Sequence, residues 1–402
     1  MCSIQDGELE DIISKQSVTA GRECVKCQGT AVLVTRINDA FCKSCFQVYV
    51  VHKFRASIGK SKLIRDGEHV LVAFSGGASS SALLHLIEEG RSPRAHRKLR
   101  FTATVIYVDE TGILKWSAAE REEKELNLEK SDFSDMSDVS PICWDVTSGT
   151  GESEFQARTA STERLQQLFA ALPSDSAREE FLRVAKTRLL LAVARQRGFD
   201  KILVGDCSTR LSVRILTDMA QGRGSQVALD TSIGDKRYGD VMVIRPLRDL
   251  NSKEVALYNV LNQVETVFIP ALTTKTAAGS SIDRLTETFI TGLQADFPST
   301  VPNIVRTSEK LGQAELNTSV GCCAFCQSPL DTDVGEASAL HAVQVSEHLS
   351  QTAGAGQVSA TAGGGACSGS GGDGDCQQGH IHHRQVMHSQ IAEFLLEKNV
   401  DT

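Results

Sequence analysis

The sequence predicts an α/β chain built on a doubly wound, mostly parallel sheet and preceded by a small module of four cysteines. Three observations predict it. Short β-branched runs alternate with longer helical stretches between residues 67 and 250, one of those runs passes into a Ser/Gly-rich loop, and two CxxC pairs stand ahead of that loop.

The strand runs are EHVLVAF from Glu68, FTATVIYV from Phe101, SPICWDV from Ser140, KILVGD from Lys201 and DVMVIRP from Asp240. Helical stretches lie between and after them: SSALLHLIEE from Ser80, EEFLRVAKTRLLLAVARQ from Glu179 and STRLSVRILTDMAQ from Ser208. This alternation is the signature of a parallel sheet, and it puts a nucleotide at the carboxyl ends of the strands. Asn251 followed by Glu254 predicts a helix start in which each side chain reaches the other's backbone N–H. Further helices are expected over Ile282 to Gln294 and Ile304 to Leu311.

Composition narrows the function. With 402 residues, 41% of them hydrophobic and 23% charged, the chain has enough material for one large domain or two smaller ones. A net charge of -8 excludes a protein that grips nucleic acid by bulk charge, so any RNA contact needs a local basic patch. No apolar run reaches the roughly 18 residues of a membrane span, and the first 20 residues lack the basic start and apolar stretch of a signal peptide. The expectation is a soluble, cytoplasmic protein. Its twelve cysteines then point to metal ligation or buried thiols rather than disulfides.

The segments follow in order: a flexible leader over 1–21, the cysteine module over 22–51 and a basic connector over 52–66. The nucleotide-binding-like domain covers 67–250, and a helical extension with a partial cysteine cluster covers 251–330. A Gly/Ser/Ala-rich linker follows over 331–383, too poor in apolar residues to bury a core, with a short C-terminal helix over 384–402.

Two motifs carry chemistry. In VAFSGGASSSALL, from Val72, Gly76 and Gly77 let phosphate approach the backbone. Ser75, Ser79 and Ser80 offer hydroxyls, and the following helix offers free N–H groups and its positive dipole end. It is neither GxxxxGK[ST] nor GxGxxG. In CVKC from Cys24 and CKSC from Cys42, each turn supplies two thiolates, and the fourteen intervening residues let Cys24, Cys27, Cys42 and Cys45 close a tetrahedron around structural zinc. A weaker second site is expected at Cys323 and Cys326 of GCCAFC, where only Cys367, Cys376, His380, His382 and His383 follow as further ligands. Lys53, Arg55, Lys60, Lys62 and Arg65 form the local basic segment, with Arg210 as a further phosphate-contact candidate.

Together SGGASSS, RPLRDLNSKEVALYN from Arg245, RTSEKL from Arg306, HKFR from His52, GDCSTRL from Gly205 and the paired CxxC motifs resemble the cytoplasmic tRNA 2-thiolation protein 2 family. That family is the tRNA thiolation branch of the PP-loop ATP pyrophosphatases, and the resemblance covers about residues 22–330. It implies a PP-loop fold and a cytosolic tRNA thiolase that makes 2-thiouridine at wobble position U34 of the lysine, glutamate and glutamine tRNAs. The partners it implies are tRNA, a catalytic tRNA thiolation protein 1 homologue and a thiocarboxylated ubiquitin-like sulfur carrier.

The departures decide this chain's share. Ser79 stands where the family loop SGGxDS has its acid, and where the active branch carries GHNxDD this chain has Gly205, Asp206, Cys207, Ser208, Thr209 and Arg210, so both aspartates of that pair are missing. The region that carries cluster cysteines in catalytic relatives offers only Cys143, and Val267 to Pro270 offers none, so no iron–sulfur cluster is expected there. The chain reads as a degenerate, non-catalytic subunit, with no residue assigned a catalytic role. ATP with magnesium at Ser75–Ser80 stays an open reading. Two alternatives stand beside it: a self-sufficient adenylating sulfurtransferase, and a zinc-stabilised RNA-binding scaffold with a vestigial nucleotide site.

Overall fold

Val70, Val72 and Phe74 of one strand join one apolar cluster while Leu71 joins another, so this strand is buried on both faces. Only a parallel strand between two helical layers needs that pattern. The computed structural model describes residues 22–35, 39–93, 95, 98–108, 110, 113, 140–142, 165–266, 272, 277, 279–311, 322–323 and 325–329. The leader, the Gly-rich linker and the C-terminal helix expected from the sequence lie outside the described residues, as does Cys143.

The strands are β1 (Leu33–Val34), β2 (Ala40–Phe41), β3 (His69–Phe74), β4 (Thr102–Val108), β5 (Ser140–Ile142), β6 (Lys201–Val204), β7 (Gly234–Asp235) and β8 (Met242–Ile244). β1 and β2 form a small antiparallel pair, and the six others form one sheet in the order β5-β4-β3-β6-β8-β7. All pairs in that sheet are parallel except β7 with β8. The five strands read from the sequence are its five parallel members. Neither β1–β2 nor β7 was foreseen, because two residues show no periodicity.

The helices are α1 (Lys43–Ser61), α2 (Ala78–Arg91), α3 (Asp175–Gln196), α4 (Ser208–Ala220), α5 (Val227–Thr231), α6 (Ser252–Asn262), α7 (Ile282–Asp296) and α8 (Thr300–Lys310). On one face of the sheet, Phe46, Val50 and Phe54 of α1, Leu83 and Ile87 of α2, and Val255 and Tyr258 of α6 pack on β3 and β4. On the other, Leu189, Leu191 and Val193 of α3 meet Leu71, Ile106 and Ile202. α1 runs unbroken across residue 51, so the second half of the cysteine module and most of the basic connector share one helix. α3 starts at Asp175, four residues before the apolar run, because the Ser174 hydroxyl accepts from the Ala177 N–H. The chain divides into two units, residues 1–220 with 226–313 and residues 221–225 with 314–402, and the sheet lies wholly in the first.

One clasp carries a pH prediction. Glu179 of α3 accepts from the hydroxyl of Ser281, the N-cap of α7, and Ser176 accepts from the Ile282 N–H. Burial, then the charge of Asp283 and more weakly Asp175, pushes the Glu179 carboxyl up to about 8. An acid raised in the folded state keeps a proton that the unfolded chain releases from about 4.5 upward. This contribution to stability is therefore full below 4.5 and is lost as pH rises toward 8. Thermal melts across that range should show Glu179→Gln losing part of the wild-type decline; an unchanged slope would refute the assignment.

Candidate metal centre and phosphate loop

The first CxxC pair sits in a tight knuckle. The Cys24 N–H donates to Gly29 O at 2.7 Å and the Gln28 N–H to Cys24 O at 2.9 Å, with Gln28 in the left-handed region at φ 60° and a Glu23–Thr30 bridge closing the turn. The β1–β2 pairing, Leu33 with Phe41 and Val34 with Ala40, returns the chain so that the second pair faces the first. Cys42 is the N-cap of α1 and Cys45 lies in its first turn.

The four sulfurs lie within 4.8 Å of one another, and Cys27 Sγ to Cys42 Sγ is 3.6 Å. Four thiolates at about 2.3 Å from one zinc are separated by about 3.8 Å, so the donor set fits a single tetrahedral ion. The thiols already differ in acidity. Burial opposes ionisation of Cys24, but N–H donors at Cys42, Lys26 and Cys27 outweigh it and hold the thiol down to about 6. The neighbouring Cys42 and Cys27 sulfurs push Cys45 up to about 12. These four are the sole group of three or more metal-ligating side chains among the described residues.

α6 ties this module to the sheet. The capping box read from the sequence is present: the Glu254 N–H donates to Asn251 Oδ1 at 2.7 Å, and Glu254 Oε2 accepts from the Asn251 N–H at 3.0 Å. Glu254 is 1% exposed. It also accepts from Tyr49 Oη at 2.7 Å and from Lys53 Nζ at 3.1 Å, both on α1, and Lys53 lies over the Tyr49 ring. Further along, Gln47 donates to Asn262 at 2.6 Å, and Asn259 donates to the carbonyl of Ala78, the first residue of α2.

The loop from β3 to α2 has the expected backbone. Gly76 takes φ 80°, which L side chains rarely adopt, and Gly77 is the N-cap of α2 with no side chain capping it. The Ser80 and Ser81 hydroxyls turn onto the loop's own backbone. Ser80 Oγ accepts from the Ser75 N–H at 3.3 Å, lies 3.2 Å from Ser75 Oγ and donates to Gly77 O at 2.9 Å, while Ser81 Oγ donates to Gly76 O. Ser79 is half-buried at the helix start. Gly205, at the end of β6, passes so close that a Cβ there would sit 3.0 Å from the Ser79 carbonyl and the Ser80 nitrogen. Loop and β6 terminus are thus in backbone contact, and Gly205 was not singled out from the sequence for that reason.

A sequence model of the cytoplasmic tRNA 2-thiolation protein 2 family matches residues 281–373. The protein of that name from Xenopus tropicalis is 39% identical over 86% of this chain and 79% of its own length. The chain belongs to the cytoplasmic tRNA 2-thiolation protein 2 family. The Homo sapiens member is 36% identical over 82% of this chain and 76% of its length. In fold, the chain is similar to a structure titled as the U34-tRNA thiolase NcsA from Methanococcus maripaludis with its [4Fe-4S] cluster. The TM-score is 0.56 at 16% identity, covering 77% of this chain and 92% of that one. This likeness bears on the fold alone, an α/β domain on a mostly parallel sheet. No described helix is long and apolar enough to cross a membrane.

In this member of the thiolation family, the segment Cys207 to Thr209 is built into the scaffold. Cys207 is 1% exposed, Ser208 Oγ donates to Leu250 O at 3.0 Å, and Thr209 Oγ1 donates to Gln294 and accepts from the Ser252 N–H. Asp206 lies beside them. Burial would raise its pKa, but Arg210, Arg245 and Arg214 hold it below the ordinary value.

The basic candidates separate by exposure. Lys60, Lys62, Arg65 and Arg210 are exposed, Arg55 is half-buried, and Lys53 is 19% exposed with its ammonium on Glu254. Lys53 therefore works inside the fold as a counter-ion, a role its spacing on the charge run concealed.

Cys323 and Cys326 form a second knuckle with the hydrogen bonds of the first. The Cys323 N–H donates to Ser328 O and the Gln327 N–H to Cys323 O, both at 2.8 Å, with Gln327 at φ 56° and a Cys322–Pro329 bridge. Here the two sulfurs are 3.1 Å apart. The later candidates Cys367, Cys376, His380, His382 and His383 lie outside the described residues.

Proposed function

We propose that this chain is the non-catalytic subunit of the cytoplasmic tRNA thiolase that makes 2-thiouridine at U34 of the lysine, glutamate and glutamine tRNAs. It pairs with a catalytic homologue, and a thiocarboxylated ubiquitin-like carrier supplies sulfur. The observation that carries this is the substitution pattern at the carboxyl edge of the sheet. Ser79 and Thr209 stand where an adenylating enzyme needs carboxylates to position magnesium-nucleotide, and the Thr209 hydroxyl is engaged in holding α4 to α6 and α7. Loop hydroxyls turned onto their own backbone support a vestigial nucleotide site. The four-thiolate set is proposed as structural zinc. A spread of at most 4.8 Å supports a mononuclear ion, since a cluster attaches its cysteines to different irons.

The test is reconstitution. The purified chain with ATP, sulfur donor and tRNA should give no 2-thiouridine and no ATP–pyrophosphate exchange, and adding the catalytic homologue should give both. Thiolation by the chain alone would overturn the reading in favour of a complete enzyme. Lys60, Lys62, Arg65 and Arg210, with Arg55 behind them, are proposed to meet tRNA phosphates. Replacing Lys60 and Lys62 with alanine should weaken tRNA binding and flatten the slope of log K against log salt by about 1.5.

A further inference from the structure

The amino edge of the sheet gathers a basic surface of which the tip of α1 is one part. α1 ends at Ser61 and enters β3 through Lys62, Arg65 and Asp66, while α2 ends at Arg91 and returns to β4 through residues 92–101. β3 and β4 are parallel and start level, His69 beside Thr102, so both connections lie at the same edge. They touch there. The Gly67 N–H donates to Arg100 O at 2.6 Å and the Thr102 N–H to Glu68 O at 2.8 Å, and the exposed guanidinium of Arg100 lies 3.4 Å from the exposed carboxylate of Asp66. The Leu99 N–H donates to Gly90 O at 2.8 Å, folding the second connection back on α2. Residues 91–100, RSPRAHRKLR, hold four arginines, one lysine and no acid. Lys60, Lys62, Arg65, Lys98 and Arg100 are all exposed. Of the acids on this edge, Asp66 answers Arg100, Glu68 is taken by Lys201 and Asp240 by Arg195, with exposed Asp200 one strand away at the start of β6.

We propose that this amino edge binds the phosphate backbone of a double-helical RNA stem, with Lys98 and Arg100 extending the footprint of Lys60, Lys62 and Arg65. The proposal rests on the reading of the chain as a tRNA thiolase subunit and names the part of the RNA that these charges meet. Two observations select a stem. Neither residues 60–69 nor residues 91–100 contain Phe, Tyr or Trp. Single strands are held by stacking their bases on aromatic rings, whereas duplex RNA is recognised largely through its phosphates and 2′-hydroxyls. The six residues of β3, at about 3.3 Å each, also hold this surface about 20 Å from the loop that follows the strand at the opposite edge. Charges here therefore meet RNA well away from any base that faces the carboxyl edge. Arg210, which follows β6, stands at that other edge and outside this footprint. A net charge of -8 is no obstacle, because the cations are concentrated on one surface.

The test titrates the full chain against a blunt RNA duplex of about 16 base pairs and a single strand of the same length, read by fluorescence anisotropy at graded salt. The duplex should bind more tightly at every salt concentration. Lys98→Ala with Arg100→Ala should flatten the slope of log K against log salt by about 1.5–2 and leave the melting temperature unchanged, and adding Lys60→Ala and Lys62→Ala should about double that loss. Lys310→Ala, at an exposed lysine in the last turn of α8, should leave the slope as it is. The measurement needs neither ATP nor the catalytic homologue, so its failure and that of reconstituted thiolation are separate results. A wild-type slope in the Lys98/Arg100 variant, tighter binding of the single strand, or a variant that binds duplex normally but no longer retains the catalytic homologue would each overturn the proposal.

Discussion

Replacing Cys24 and Cys42 together with serine should abolish metal binding by the N-terminal set and melt the first turns of α1, with the central sheet retained. The size follows from what holds the module together. β1 and β2 contribute two residues each, while Cys24, Leu33, Phe41 and Phe46 share the main apolar cluster with the sheet and Tyr49 packs against it. That packing anchors the module to the domain, but an ion is what would hold four sulfurs within 4.8 Å of one another. Structural zinc supplies about 10–16 kcal/mol in small modules of this kind. Elemental analysis should find the ion lost, and hydrogen exchange should rise over residues 22–50 but not in β3, β4 or β6. Metal retention should also weaken as pH falls, because every ligand must shed its proton. Undiminished metal content in the double variant would refute the four-thiolate assignment.

Glu254→Ala should be the most damaging single substitution outside the sheet. Removing the carboxylate takes the charged partner from the largely buried Lys53 ammonium, which keeps the Asp249 carbonyl as an acceptor, takes an acceptor from the Tyr49 hydroxyl, and breaks the capping box of α6. Breaking a buried pair from one side costs about 3–5 kcal/mol, and losing a cap about 1 more. The melting temperature should fall by roughly 8–15 °C. Glu254→Gln keeps an acceptor while losing the charge and should fall between. If alanine shifted the melt by no more than an ordinary surface change, about 0.5 kcal/mol, the clasp would have no energetic role.

Much of this was legible in the chain. The five parallel strands could be read because a strand buried on both faces leaves a dense apolar run, as in HVLVAF. The α6 capping box could be read because its two members stand three residues apart. What escaped depends on residues far apart in sequence. Nothing local to Lys53 says that its charge meets Glu254, 201 positions on. The β7 edge strand is held in place by pairing with β8 and by Asp235 meeting Arg237, not by any period of its own. The matching knuckles were half visible: two cysteines and a following glutamine recur, but the left-handed turn at Gln28 and Gln327 becomes evident only from the backbone.

The unbroken course of α1 makes the metal centre one end of a lever. Nineteen residues at 1.5 Å each give a rod of about 28 Å. Cys45 sits at one end, the Lys53 pivot on Glu254 near the middle, and Lys60 at the other. With the pivot held, a tilt of about 5° at the sulfur end swings the far lysine by about 1 Å in the opposite direction. An ion held by the four cysteines would therefore set where the charged tip of the helix lies.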